Sequence, residues 1–295
     1  MKRKIILVSA ILSLIALSFV ACKEKEKEPV EPPLYPTVGA INARFTVADG
    51  KTVVFAQGNL QYQASSGQWR FAANQYDVVG NDNVGIDTTY SGWIDLFGWG
   101  TSGFNGCMPY MTDDTNSHYG DSLALADIAG TQYDWGVNNA IYNGGNRVGQ
   151  WRTLTVQEWE YLLKSRKSAS VKKGLATITD LGTPEGEQYG LVLLPDTWVL
   201  PSGCAFYYGY DMGYATNVYT VSEWNDMQQA GAVFLPAAGY REGCKVDLVN
   251  YYGGYWSSSV YTEDASYEIY MDGTEFRLYT AARSNGQSVR LVTDK

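Results

Sequence analysis

Two four-residue boxes constrain this chain most. Thr155-Val156-Gln157-Glu158 and Thr220-Val221-Ser222-Glu223 each place Thr three residues before Glu, and each is followed at once by Trp (Trp159, Trp224). In such a capping box the Thr hydroxyl accepts from the Glu amide, and the Glu carboxylate accepts from the Thr amide. The pattern predicts a helix start at each place. Trp159, Leu162 and Leu163 form an apolar stripe on the first helix, and Val221, Trp224 and Met227 on the second. Each helix leads to an apolar strand ending in Pro: residues 190–195 (GLVLLP) after an insert, and 232–236 (AVFLP) directly.

Strand signals surround these helices. Residues 44–47 and 53–63 read as strands, and 68–72 answers across the Ser65-Ser66-Gly67 turn as a hairpin. Residues 74–150 are rich in Gly, Asn, Asp and Tyr with little periodicity, so a long irregular segment is expected. Its apolar points (Trp93, Ile94, Leu96, Phe97, Trp99) are expected to pin it to the core. The C-terminal part reads as a β-meander with Asp272-Gly273 as a tight turn. Tyr267, Ile269 and Met271 should share one face with Phe276 and Leu278. The class is α+β: two helices packed on short, mostly antiparallel strands with long irregular loops. No linker-like composition follows Pro36, so residues 37–295 read as a single elaborated domain.

The first 36 residues read differently. Lys2, Arg3 and Lys4 precede an apolar run (5–20) too short to span a bilayer securely. The run ends Phe19-Val20-Ala21-Cys22, which resembles a bacterial lipoprotein signal. Residues 1–21 would be the signal peptide and Cys22 the lipidated first residue. The charged, Pro-containing run from 23 to 36 cannot bury a core and reads as a tether. Its position after Cys22 also resembles the surface-export signal of outer-membrane lipoproteins in Gram-negative anaerobes. The expected location is the outer membrane, lipid-anchored and facing the exterior.

The formal net charge of the 295 residues is −9, and removing Lys2, Arg3 and Lys4 leaves −12. An acidic chain without a Lys/Arg cluster argues against nucleic acid, whose binding rests on phosphate neutralisation. It also argues against a polybasic membrane-surface patch. Of the remaining cysteines, Cys204 and Cys244 lie in similar Gly-flanked loops and are the candidate disulfide, which leaves Cys107 over. No two lie within four residues, so no zinc site is read.

Four motifs carry a family resemblance. WRTLTVQEWEYLL (151–163) resembles the signature of the formylglycine-generating, sulfatase-modifying superfamily, with Thr153-Leu154 where that pattern has Leu-Pro. GYR (239–241), GGYWSSS (253–259) and SVRLV (288–292) resemble its later motifs, and still more those of a non-catalytic branch, the Fibrobacter-type major paralogous domain of surface lipoproteins. The resemblance covers about 151–292 and implies a C-type-lectin-like fold. It does not carry catalysis across. The formylglycine-generating members need a paired-cysteine copper site where this chain has 283–290 without Cys, and the related iron enzymes need several His where this chain has only His118. No catalytic residue, metal or cofactor is assigned. A divergent enzyme of the superfamily and a structural subunit of a surface appendage are the alternatives.

Trp224-Asn225-Asp226 spells the calcium triplet of sugar-binding C-type lectins, but it lies in a capped helix with no partner loop. Asp113, Asp114, Asn116 and Asp121 supply hard oxygens without EF-hand spacing and read as a solvated loop. The last fifty residues hold the residue mix of a binding surface, in which Tyr gives wide contact at low entropy cost and Ser, Gly and Asn adapt. Candidate ligand contacts are Tyr251, Tyr252, Tyr255, Tyr261, Glu263, Asp264, Tyr267, Glu268, Tyr270, Glu275, Arg277 and Tyr279, while Trp256 is assigned to the core. The segment 250–285 also resembles the variable region of lectin-fold targets of diversity-generating retroelements. The expected ligand is a glycan or a protein at the cell surface.

Overall fold

The computed structural model describes residues 37–111, 126–208 and 213–295. Cys22, the tether, His118 and the acidic run from Asp113 to Asp121 lie outside the described residues. The described residues belong to one compact unit. The class is α+β, with β-structure dominant.

Strands β1 (Phe45–Ala48) and β2 (Lys51–Phe55) form a hairpin, and β14 (Val292–Asp294) pairs with β2 at Val292↔Phe55. The first and last strands of the described chain thus share one sheet. The run predicted as one strand from 53 to 63 is two. It breaks at 56–59, where Gly58 passes so close to the backbone at Ala72 that a Cβ would sit 2.5 Å from the Ala72 carbonyl oxygen. Beyond the break, β3 (Leu60–Gln63) and β4 (Gln68–Phe71) form the expected hairpin.

Both predicted helices are present, and both capping boxes are closed. In α2 (Val156–Glu160) the Thr155 hydroxyl accepts from the Glu158 amide at 3.2 Å, and Glu158 accepts from the Thr155 amide at 3.0 Å. α2 widens into a π turn over Tyr161–Ser165. The buried Arg166 ends it by donating to the Leu162 and Leu194 carbonyls and to Asp196, a cation at the negative helix end. In α3 (Val221–Gln229) Thr220 and Glu223 repeat the device. Trp224 is fully buried, as the stripe required of the calcium-like triplet. A short α1 (Trp135–Asn138), capped by Asp134, was not signalled by periodicity.

The central sheet runs β7 (Val218–Thr220), β5 (Lys173–Thr179), β6 (Glu187–Leu193), β8 (Val233–Pro236). Its inner strands β5 and β6 are buried along nearly their whole length. Leu175, Leu191, Leu193, Val233 and Leu235 meet β1, β2 and α2 in the main core. Ala176, Ile178, Val192 and Phe234 meet Trp224 and Met227 of α3 on the other side. A third core gathers Trp69, Trp99, Trp135, Trp151 and Trp256 under the irregular segment. Four of these indoles donate to backbone carbonyls: Trp99 to Ser257, Trp135 to Thr101, Trp151 to Gly144 and Trp256 to Phe97. Each buried N–H thereby finds a partner and ties down a stretch lacking regular structure. Ile94, Leu96, Phe97 and Trp99 are buried as expected; Trp93 is not in the core.

Three of the motifs each contribute an arginine that makes structural contacts. Arg152 bridges Glu158 at 2.7 Å and Asp294 at 2.6 Å. Arg241 reaches the Asn83 and Pro109 carbonyls. Arg290, 1% exposed, donates to Asn59 and to the Ala56 and Phe234 carbonyls. Most of these contacts tie segments more than a hundred residues apart in sequence, such as Arg152 to Asp294, Arg241 to Asn83 and Arg290 to Ala56.

Candidate ligand-binding face

The C-terminal sheet positions most of the predicted contacts. Strands β11 (Gly253–Val260), β12 (Ala265–Met271) and β13 (Phe276–Ala282) pair antiparallel, with Gly254↔Tyr270, Tyr255↔Ile269 and Tyr270↔Arg277 in register. Asp272 closes the β12–β13 turn. Its carboxylate accepts from the Thr274 and Glu275 amides at 2.8 and 3.0 Å, and from the Tyr270 hydroxyl at 2.6 Å. Period-two alternation sends Ile269, Met271, Phe276 and Leu278 to the main core, and Tyr270, Arg277 and Tyr279 outward.

The outward side chains form a continuous aromatic run. Tyr240, at the start of β9 (Tyr240–Glu242), meets Tyr252 edge-on at 5.5 Å. Tyr252 meets Tyr270 at 5.4 Å, and Tyr270 meets Tyr279 at 5.8 Å, both edge-to-face. The Arg277 guanidinium lies over Tyr270 at 5.2 Å and Tyr279 at 4.4 Å, and pairs with Glu275 at 3.3 Å. Tyr279 is 47% exposed. Each ring braces its neighbour, so little side-chain freedom is left to lose on binding.

Beneath this run sits a buried polar floor. Glu268 is 1% exposed, and the Tyr252 hydroxyl lies 3.0 and 3.1 Å from its two carboxyl oxygens. Gln287 donates to the same hydroxyl at 3.1 Å. Burial pushes the Glu268 carboxyl up to about 8, although the Tyr252 bond opposes the rise. Both side chains fit only because β11 has Gly254 beside them. A Cβ there would meet Gln287 Oε1 at 2.1 Å and Glu268 Oε2 at 2.5 Å.

The other predicted contacts divide. Tyr261 and Tyr267 pair edge-on at 5.2 Å near the exposed Glu263 and Asp264, at the opposite end of β12 from Tyr270. Tyr251 is half-exposed beside the β12–β13 turn, and its carbonyl accepts from the Tyr214 hydroxyl. Two assignments are corrected. Tyr255 is fully buried; it alternates to the core face, and its hydroxyl donates to the Pro236 carbonyl at 2.9 Å. Glu268 is floor and not contact surface. Tyr240 was missed, because it lies in the GYR motif, outside the segment 250–285 singled out by its composition.

The candidate Cys204–Cys244 disulfide is also corrected, since both residues are thiols. Cys204 packs under α3, with its sulfur 3.8 Å from the Glu223 carbonyl, whereas Cys244 lies in the turn between β9 and β10 (Lys245–Asp247). Among the described residues, no group of three or more His, Cys, Asp or Glu side chains is placed to hold a metal, and no helix is long and apolar enough to cross a membrane. A cleft of about 570 Å³, walled by Asp77, Asp180, Glu185 and Glu187, includes none of the predicted contacts. No family model, curated protein or solved structure matches the chain.

Proposed function

We propose that this protein is a non-catalytic binding protein, held at the outer-membrane surface through a lipid on Cys22, that grips a ligand with the outward face of β11–β13. The observation that carries this reading is the braced run Tyr240–Tyr252–Tyr270–Tyr279 with Arg277 laid over its last two rings. Tyr and Arg are the side chains that dominate contact energies at recognition surfaces. Rings held edge to face present edges and hydroxyls more than one flat plate. That suits a partner surface of mixed polarity, so a protein ligand is favoured and a glycan is the second class. The lectin-like fold belongs to the same proposal. It is supported by the shared sheet of first and last strands and by the structural contacts of Arg152, Arg241 and Arg290 within three of the motifs.

The test is a display of host proteins and surface glycans probed with the full-length chain and with a Tyr279→Ser, Arg277→Ala double variant. Both sites are about half exposed, so thermal melting should be unchanged. Binding by the parent that falls at least tenfold in the variant is expected. Equal binding by both, or no binding to any feature, overturns the assignment.

A further inference from the structure

A second recess lies away from the tyrosine face, on the outer side of the β3–β4 hairpin. Gln61 and Arg70 are directly opposite in its register, so both point the same way, while Tyr62 and Trp69 pack inward. The Gln61 carbonyl oxygen accepts from Arg70 Nε at 2.8 Å. The guanidinium lies 3.7 Å from the centre of the Trp93 ring. These two contacts fix the plane of the fork, and its two terminal amino groups have no hydrogen-bond partner among the described residues. The amide nitrogen of Gln61 has none either, although Gln61 is only 4% exposed. The rest of the Gln61 side chain is buried, so this nitrogen is held in place at the wall of the recess with its donor open to whatever fills it.

The recess has a volume of about 520 Å³, within the roughly 300–1,000 Å³ of small-ligand sites. Tyr90 walls one side. It packs against Gly85 and Gly92, where a Cβ would come within 2.2 Å of the ring and 2.3 Å of the hydroxyl respectively, so the side chain is held by backbone. Asp77 and Asp82 line the same space. Asp77 also accepts from the Asn74 amide at 2.8 Å. The recess therefore offers donors from Arg70 and Gln61, acceptors from two carboxylates, and aromatic walls from Trp93 and Tyr90.

We propose that this recess is a binding site for a neutral pyranose sugar. The two carboxylates outnumber the one guanidinium, so a carboxylate ligand meets a net negative site despite the free fork. A cationic ligand leaves the fork and the Gln61 amide unused. Vicinal hydroxyls answer both sets, because each accepts from the planar fork and donates to Asp77 or Asp82. The apolar face of the ring then lies against the aromatic walls. The site is independent of the tyrosine face, and either can fail without the other.

The test is saturation-transfer NMR on the full-length chain with methyl glucoside, methyl galactoside and methyl mannoside, each to about 50 mM, the weak end of useful affinity. Sodium glucuronate and acetate are the anionic arm. At least one neutral pyranoside should bind. Its affinity should fall at least tenfold in Arg70→Met and in Asp82→Asn, and be unchanged in Tyr279→Ser. Asp82→Asn removes a charge at the rim, so it reads the site even if loss of the Arg70 stack disturbs folding. Tighter binding of glucuronate than of the neutral sugars, no binding by any of them, or binding indifferent to both variants overturns the proposal.

Discussion

Replacing Glu268 by Gln should make the protein more stable, and by an amount that grows with pH. Burial holds the folded carboxyl at about 8 against an ordinary value of 4.5. Below 4.5 both folded and unfolded chains keep the proton. Between 4.5 and about 8 the unfolded chain has released it while the folded chain still holds it. The folded state then binds more protons, so stability falls as pH rises through this window. At about 1.4 kcal/mol per pH unit, the wild-type chain loses on the order of 5 kcal/mol by pH 9. The glutamine keeps the shape and an acceptor for Tyr252 and has no proton to lose. The variant should match wild type within about 1 kcal/mol at pH 4.5. By pH 9 it should lead by several, which for a domain this size is on the order of 10 °C in melting temperature. Asp95 and Asp134, which burial raises to about 6, are common to both proteins and cancel in the difference. Melting curves of the two proteins at half-unit steps from pH 4.5 to 9 measure it. Parallel curves across that range would refute the claim that burial keeps Glu268 protonated beneath the tyrosine run.

Other consequences are simpler to state. Tyr255→Phe removes a buried hydroxyl bonded to Asn59 and Pro236 and should cost about 1–3 kcal/mol in urea unfolding, with ligand binding intact. Thr220→Ala should cost about 1 kcal/mol by opening the box at the start of α3, read as a lower urea midpoint with an unchanged slope. Gly254→Ala drives a methyl into Glu268 and Gln287 and should destabilise by about 1–3 kcal/mol, visible as a lower melting temperature and altered tyrosine fluorescence.

The helices were legible because capping is local: Thr155, Glu158, Thr220 and Glu223 state their own geometry within four residues. The β3–β4 hairpin was legible for the same reason. Strand β5 was not, since residues 173–179 carry no alternation and are recognised only through pairing with β6 and β7. Tyr255 and Tyr270 look alike in sequence. What separates them is register, together with a polar partner for Tyr255, Asn59, 196 residues away. Trp93 reads as a core anchor until Arg70 is seen to cover it. The cysteine pairing failed because similar flanking glycines say nothing of distance in space. Residue composition located the tyrosine face. The edge-to-face order of its rings, its buried acid and the Tyr240 contribution depend on the fold.

The most direct test of the central claim is a tyrosine footprint. The full-length chain would be nitrated with and without a ligand captured on the display, and each modified tyrosine read by mass spectrometry. Tyr279 and Tyr270 should be protected by ligand, while Tyr142, which is 65% exposed and lies beside the β3–β4 hairpin, should react unchanged. Equal reaction of Tyr279 with and without ligand would contradict the assignment of the β11–β13 face as the binding surface.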